Sequence, residues 1–152
     1  MSNEKYISEV KLIAAPQQSV YDRLSNFKNL EQLFDPKKIE EIKKQNPDVP
    51  DMKLDDFKAT NDECSFSISP IGKVSVHITD REPLKLIKLS SGPTVPFQFH
   101  CWIQLIPIDE ISCKVRITLH AELNAMFKMM VHRHLKTGVD KIAEALTKIP
   151  YN

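Results

Sequence analysis

With 152 residues, 41% of them hydrophobic and 27% charged, the chain is long enough to bury a core without metals or disulfides, and its composition excludes disorder. Its 21 basic and 20 acidic residues leave a net charge of +1, so bulk electrostatics supply no reason to expect nucleic-acid or anionic-membrane binding. The opening MSNEKYISEVKLIAAP lacks the apolar stretch of a signal peptide, and no apolar run approaches the ~20 residues of a membrane span. Cys64, Cys101 and Cys113 sit among apolar neighbours and read as buried thiols, which predicts a reducing, cytoplasmic setting.

Residues 4–14 alternate and predict a strand with Tyr6, Ser8, Val10 and Leu12 on one face. Pro16 ends it. Val20, Leu24, Phe27, Leu30, Leu33 and Phe34 then follow at helical spacing, with a break and a new N-cap at Ser25-Asn26, so two short helices are expected. Residues 35–56 are charged, carry Pro36, Pro47 and Pro50, and read as a solvated connection or a lid.

From Phe57 the period becomes two. Phe57 and Ala59; Cys64, Phe66 and Ile68; Val74, Val76 and Ile78; and Leu84 and Leu86 alternate with polar residues, broken at Asn61-Asp62, Pro70-Ile71-Gly72 and Glu82-Pro83. Two longer strands are predicted at 96–108 and 111–122. Their inward sets are Phe97, Phe99, Cys101, Ile103 and Leu105, then Cys113, Val115, Ile117, Leu119 and Ala121. Asn124 caps a final helix reaching Lys148, with a stripe at Phe127, Met130, Val131, Leu135, Gly138, Val139, Ile142, Leu146 and Ile149, and Pro150 as its stop. The order is one strand, two short helices, about six strands and one long helix: a single α+β domain over 1–152, with the helix across a curved antiparallel sheet.

This order resembles the START-like superfamily (SRPBCC, helix-grip), which includes polyketide cyclase/dehydratase-like proteins, pollen-allergen-like carriers and lipid-transfer domains. The residues that carry the likeness are Ala15-Pro16, Val20-Tyr21, Leu24 and Asn26, the central meander, and the terminal HLKTGVDKIAEALTKI. The resemblance implies a helix-grip fold holding an apolar or amphipathic ligand between sheet and helix. Where many such proteins place a Trp, Asp or Arg cluster, this chain has Lys28-Asn29-Leu30-Glu31, so no catalytic residue carries over.

A pocket of that kind would set Phe66, Ile68, Val76, Phe97, Phe99, Cys101, Ile103, Val115, Ile117 and Leu119 against Met126, Met130, His134, Gly138 and Ile142. Gly138 stands out, because a mid-helix glycine costs ~1 kcal/mol against alanine and implies a close approach to the helix backbone. Whether these side chains fill one another or leave a cavity stays open at this level.

Keeping both inward faces apolar fixes the parity of the pairing of the last two strands, and a three-residue loop Asp109-Glu110-Ile111 then sets His100 directly opposite His120 on the outer face, beside Trp102. No third ligand accompanies that pair, so the surface reads as an interface with weak self-association rather than a metal site. His132 and His134, two apart on a helix, point to different faces. The sequence contains no Ser–His–Asp, HExxH, CxxC or phosphate-loop motif, and no cofactor is expected.

The leading expectation is a non-enzymatic carrier of a small hydrophobic molecule, lipid or aromatic and polyketide-like. Its rivals are a cyclase/aromatase-like enzyme using His134, Tyr6, Ser8 or Tyr21, and an interaction module on the outer face around Trp102 and His100.

Overall fold

The computed structural model describes residues 2–31, 40, 44, 55–68, 72–93, 95–149 and 151. The charged connection expected over 35–56 lies almost wholly outside the described residues, as do Leu33, Phe34, Pro70, Ile71 and the Pro150 stop. Among the described residues, eight strands make one antiparallel sheet in the order β1-β8-β7-β6-β5-β4-β3, with β2 pairing beside β1 on β8. The strands are β1 (Ser2–Ile7), β2 (Lys11–Ile13), β3 (Asp55–Ala59), β4 (Glu63–Ile68), β5 (Gly72–Glu82), β6 (Leu86–Ser91), β7 (Phe99–Pro107) and β8 (Cys113–Leu123). Helices α1 (Gln17–Leu24) and α2 (Phe27–Glu31) follow β2, and α3 (Ala125–Leu146) closes the chain. This is the α+β arrangement expected, with the helix break where Ser25-Asn26 placed it; the Asn26 side chain accepts from the Lys28 amide at 2.9 Å.

The first strand departs from expectation. Pairing slips by one residue between Ile7↔Thr118 and Lys11↔Val115, so a bulge at 8–10 splits it in two. Ser8 causes the slip locally: its amide donates to the Ile117 carbonyl at 2.8 Å, and its Oγ accepts from the Ile117 amide at 2.8 Å. One hydroxyl thereby stands in for a backbone acceptor, and the face reverses beyond it. Val10 and Leu12, expected inward, are 46% and 60% exposed, while Ile13 is 1% exposed. A second irregularity between Ile78 and Asp80 on β5 offsets β6, so Ile87 and Leu89 face inward, and Leu86 pairs with the outward Gln104.

The β7–β8 hairpin has the predicted register, with His100 opposite His120 and Ile103 opposite Ile117. Asn124 caps α3, its side chain accepting from the Phe127 amide at 2.8 Å. The helix lies mainly over β8, β1 and β2. Val131, Val139 and Ala143 are buried beneath it, and Phe127, Leu135, Ile142 and Leu146 pack around them.

Along one flank α3 also meets β1 and β2 through polar groups at two pairs of positions four residues apart, 128 and 132, then 140 and 144. Lys128 pairs with Glu4 at 2.6 Å, and His132 Nδ1 shares a hydrogen bond with the Tyr6 hydroxyl at 2.8 Å. Asp140 accepts from the Glu9 amide at 2.8 Å, and Glu144 pairs with Lys11 at 3.5 Å. Within each pair four helical residues rise ~6 Å and the two strand residues facing them ~6.6 Å, so helix and strand keep pace there. The Lys128 ammonium beside Glu4 holds its carboxyl below the usual range.

Two stability outcomes follow from this geometry. Ser8→Ala leaves the buried Ile117 amide without its acceptor and should lower unfolding free energy by about 1–3 kcal/mol in denaturant titration. A Cβ added at Gly138 meets nothing within 4 Å. Gly138→Ala should therefore raise stability by up to ~1 kcal/mol, read as a higher melting temperature, because helix propensity improves without a clash.

Candidate functional site

Cross-strand pairing builds the inner face row by row. Ile87, Ile103, Ile117 and Ser8 lie side by side and are 0%, 8%, 0% and 5% exposed, a closed layer. The adjacent row, Ile78–Leu89–Cys101–Leu119–Tyr6, differs: its first four residues are only half-buried although they point inward. Leu135 and Ile142 of α3, also half-buried, pack against the same cluster.

The reason shows in how the core divides. A domain usually has one contiguous apolar cluster. Here the buried side chains fall into three, centred on Val115 and Ile117, on Cys64 and Val74, and on Ala121 and Leu123. Ile78 and Leu89 bridge the first and second, Phe99 the second and third, and Leu135 the first and third. The junction of the clusters is therefore apolar surface that the protein does not fully cover with itself.

That junction has little chemistry of its own. Burial pushes the Cys101 thiol up to about 12, so it is protonated at neutral pH and acts as an apolar contact. Cys64 is likewise pushed up to about 12 by burial. Tyr6 closes the row, 5% exposed, with its hydroxyl held by His132 and its ionisation made harder by desolvation.

The residues expected to line a pocket separate into groups. Phe99, Cys101 and Leu119 stand at the junction, and Phe66 is half-buried in the second cluster. Val76, Phe97, Ile103, Val115 and Ile117 are buried in the clusters themselves. Ile68 belongs to β4, and its side chain lies outside the described residues. Gly138 is half-buried with open space where a Cβ would stand, so no side chain presses on it, contrary to the close approach expected.

Met126, Met130 and His134, expected over the sheet, stand in solvent. The two methionines are 64% and 51% exposed, and His134 is exposed as well. The phase of α3 is set by Val131, Leu135, Val139, Ile142 and Ala143, and the i, i+4 line through 126, 130 and 134 falls beside that stripe. Sequence reasoning had placed Ile142 in the pocket but left out Ile78, Leu89 and Leu135 as site residues. Leu89 was detectable from its alternation with Ile87; the junction itself was not.

Of the four groups proposed for catalysis, none stands free over the apolar row. Ser8 is engaged by Ile117 and Glu9, Tyr6 by His132, Tyr21 is buried in the first cluster, and His134 is exposed. Two clefts lie away from the junction. One of about 260 Å³ is lined by Lys58, Ser65, Ser75 and His77, and one of about 250 Å³ by Phe97, Gln98, Glu122 and Phe127. Both fall below the ~300–1,000 Å³ of ligand-burying pockets. Among the described residues no group of three or more His, Cys, Asp or Glu side chains is arranged to hold a metal ion.

No family model matches the sequence, and no curated protein matches it. Solved structures do match. Norcoclaurine synthase from Thalictrum flavum aligns over 97% of this chain and 86% of its own, at 13% identity and a TM-score of 0.65. A START superfamily protein from Mycobacterium smegmatis aligns over 95% and 94%, at 12% identity and a TM-score of 0.57. A Thermobifida fusca protein solved by NMR aligns over 97% and 92%, at 14% identity and a TM-score of 0.57. At such identities the likeness is one of fold, and it spans nearly the whole chain. With the antiparallel sheet and the long C-terminal helix laid on it, the chain has the START-like (SRPBCC), helix-grip fold.

Proposed function

We propose that this protein binds a small apolar or amphipathic molecule along the row Ile78–Leu89–Cys101–Leu119, beneath Leu135 and Ile142 of α3. The observation that carries this reading is the meeting of three core clusters at inward apolar residues left half-buried. Covering such surface is worth ~25 cal/mol per Å², so a modest apolar occupant gains several kcal/mol before its own ordering costs. The row holds no charged side chain, so an ionised group seated on it would lose its hydration without a partner.

A row without charge favours an uncharged, largely apolar ligand, such as a lipid or a polyketide-like aromatic. One Thalictrum norcoclaurine synthase structure was solved in complex with dopamine and hydroxybenzaldehyde, small aromatics in a protein of like fold. A cyclase-like activity draws less support, since Tyr6, Ser8 and Tyr21 are occupied by contacts and His134 faces outward. No described helix is long and apolar enough to cross a membrane. With Cys64, Cys101 and Cys113 all free, a reducing cytoplasmic setting suits this carrier.

The test is direct. Organic extraction of the purified protein followed by mass spectrometry should release a bound apolar molecule, and the emptied protein should take up the neutral probe N-phenyl-1-naphthylamine with enhanced emission. Leu119→Trp, which fills the row, should weaken probe binding by roughly tenfold or more, about 1.4 kcal/mol. Ile111→Ser, at a side chain 74% exposed on the β7–β8 loop, should leave it unchanged. A protein that neither releases nor takes up any apolar molecule, or a probe affinity indifferent to Leu119→Trp, would refute the reading.

A further inference from the structure

The face of the sheet turned away from α3 carries a second pattern, independent of the ligand row. Cross-strand pairing aligns Glu63, His77, Ser90, His100, His120 and Lys5 in one unbroken row from β4 to β1. Beside it runs Lys88–Trp102–Thr118–Ile7, and further along β8 Arg116 pairs with Gln104 and Lys114 with Leu12.

Around Thr118 this surface therefore presents Lys5, Lys88, Lys114 and Arg116; on its β5 side Asp80 stands opposite Lys88 and Glu82 ends the Leu86–Gln104–Arg116 row, while Glu63 and Glu122 stand at its other margins. Interleaved with the cations are two apolar side chains in solvent: Ile7, 51% exposed, which faces outward by the alternation of β1, and Leu12, 60% exposed, which the Ser8 bulge turns outward. The chain's near-zero net charge conceals this local excess.

The centre is built and donor-rich. Trp102 is fixed by Lys88, whose Nζ lies 5.5 Å from the ring centroid, and by the edge of His120, with ring centroids 4.7 Å apart. Arg116 donates to Gln104 Oε1 at 2.6 Å, and Ser90 Oγ meets His100 Nδ1 at 2.7 Å. On either side of Thr118, Arg116 Nε and His120 Nε2 are buried without an acceptor or donor among the described residues.

We propose that this face docks an acidic, partly apolar segment of another protein, its carboxylates meeting Lys5, Lys88, Lys114 and Arg116 and its apolar side chains covering Ile7 and Leu12. Charge complementarity selects that occupant. A second copy docking through the same face would set the four cations against themselves. A nucleobase needs an open aromatic face, and Lys88 and His120 occupy the surroundings of the Trp102 ring.

Trp102 is the chain's single tryptophan, so its emission reports on this face alone. The probe is a fluorescein-labelled peptide of alternating glutamate and leucine, followed by anisotropy and by Trp102 emission at low salt. It should bind, change Trp102 emission, and weaken as salt rises. The double variant Lys88→Glu/Arg116→Glu should weaken it by roughly tenfold or more. If that variant melts early, Lys5→Glu/Lys114→Glu, at two exposed lysines, serves in its place with the same expectation. A lysine–leucine peptide of the same length should not bind. Equal affinity of the charge-reversed protein, unchanged Trp102 emission, or binding of phosphatidylglycerol vesicles or oligo-dT in preference to the peptide would overturn the proposal.

Discussion

Everything in this molecule depends on the pairing of β8. It hydrogen-bonds to β7 along one side and to β1 and β2 along the other, and it is the strand on which α3 mainly rests. Cys113, Val115 and Ile117 are completely buried on its inner face. Truncating Ile117 alone would forfeit contacts worth ~2–5 kcal/mol, a large part of a domain's marginal stability. Because side chains alternate along a strand, the register of β8 also decides the content of both faces at once. A slip by one residue would drive Arg116 and His120 into the core and expose Ile117.

The helix is held to this strand by two different kinds of contact. Its apolar stripe, Val131, Val139 and Ala143 with their neighbours, supplies non-directional burial. Its polar flank, from Lys128 to Glu144, supplies directional contacts to β1 and β2. The exposed ion pairs in that flank contribute little to stability, ~0–1 kcal/mol each. Their consequence is positional: they run beside the apolar stripe that sets the rotation of α3, and they shield the edge strand, whose unpaired backbone would otherwise be free to recruit another chain. That rotation turns Leu135 and Ile142 toward the inner row and leaves Met126, Met130 and His134 in solvent.

The two faces of the sheet consequently have different characters. The inner one is apolar, and where three clusters meet it is incompletely filled. The outer one is a graded surface of cations, histidines and hydroxyls around one fixed tryptophan. The Ser8 bulge connects them, since reversing the parity of β2 buries Ile13 on one side and sends Leu12 to the other. A single hydroxyl thus helps seal the core and adds apolar area to the opposite surface.

Local periodicity was enough to read the element order, the break between α1 and α2, the Asn124 cap and the opposition of His100 and His120. Each depends on neighbours in sequence, or on the demand that one face of a hairpin be apolar. The bulge at Ser8 was not readable, because its cause is the Ile117 amide across the sheet. The lining of the candidate site was half-readable. Alternation alone nominated Cys101 and Leu119, but the strands that α3 covers, and so the side chains left half-buried beside it, depend on contacts to β8, β1 and β2, which sequence spacing does not show. Nor could composition reveal the basic outer face, since a net charge of +1 averages over surfaces that only folding separates. What the sequence determined by itself is the set of elements and their apolar sides. Which apolar residues remain uncovered, and which charges gather, was decided by tertiary packing, because both are properties of how separate strands and a helix share space.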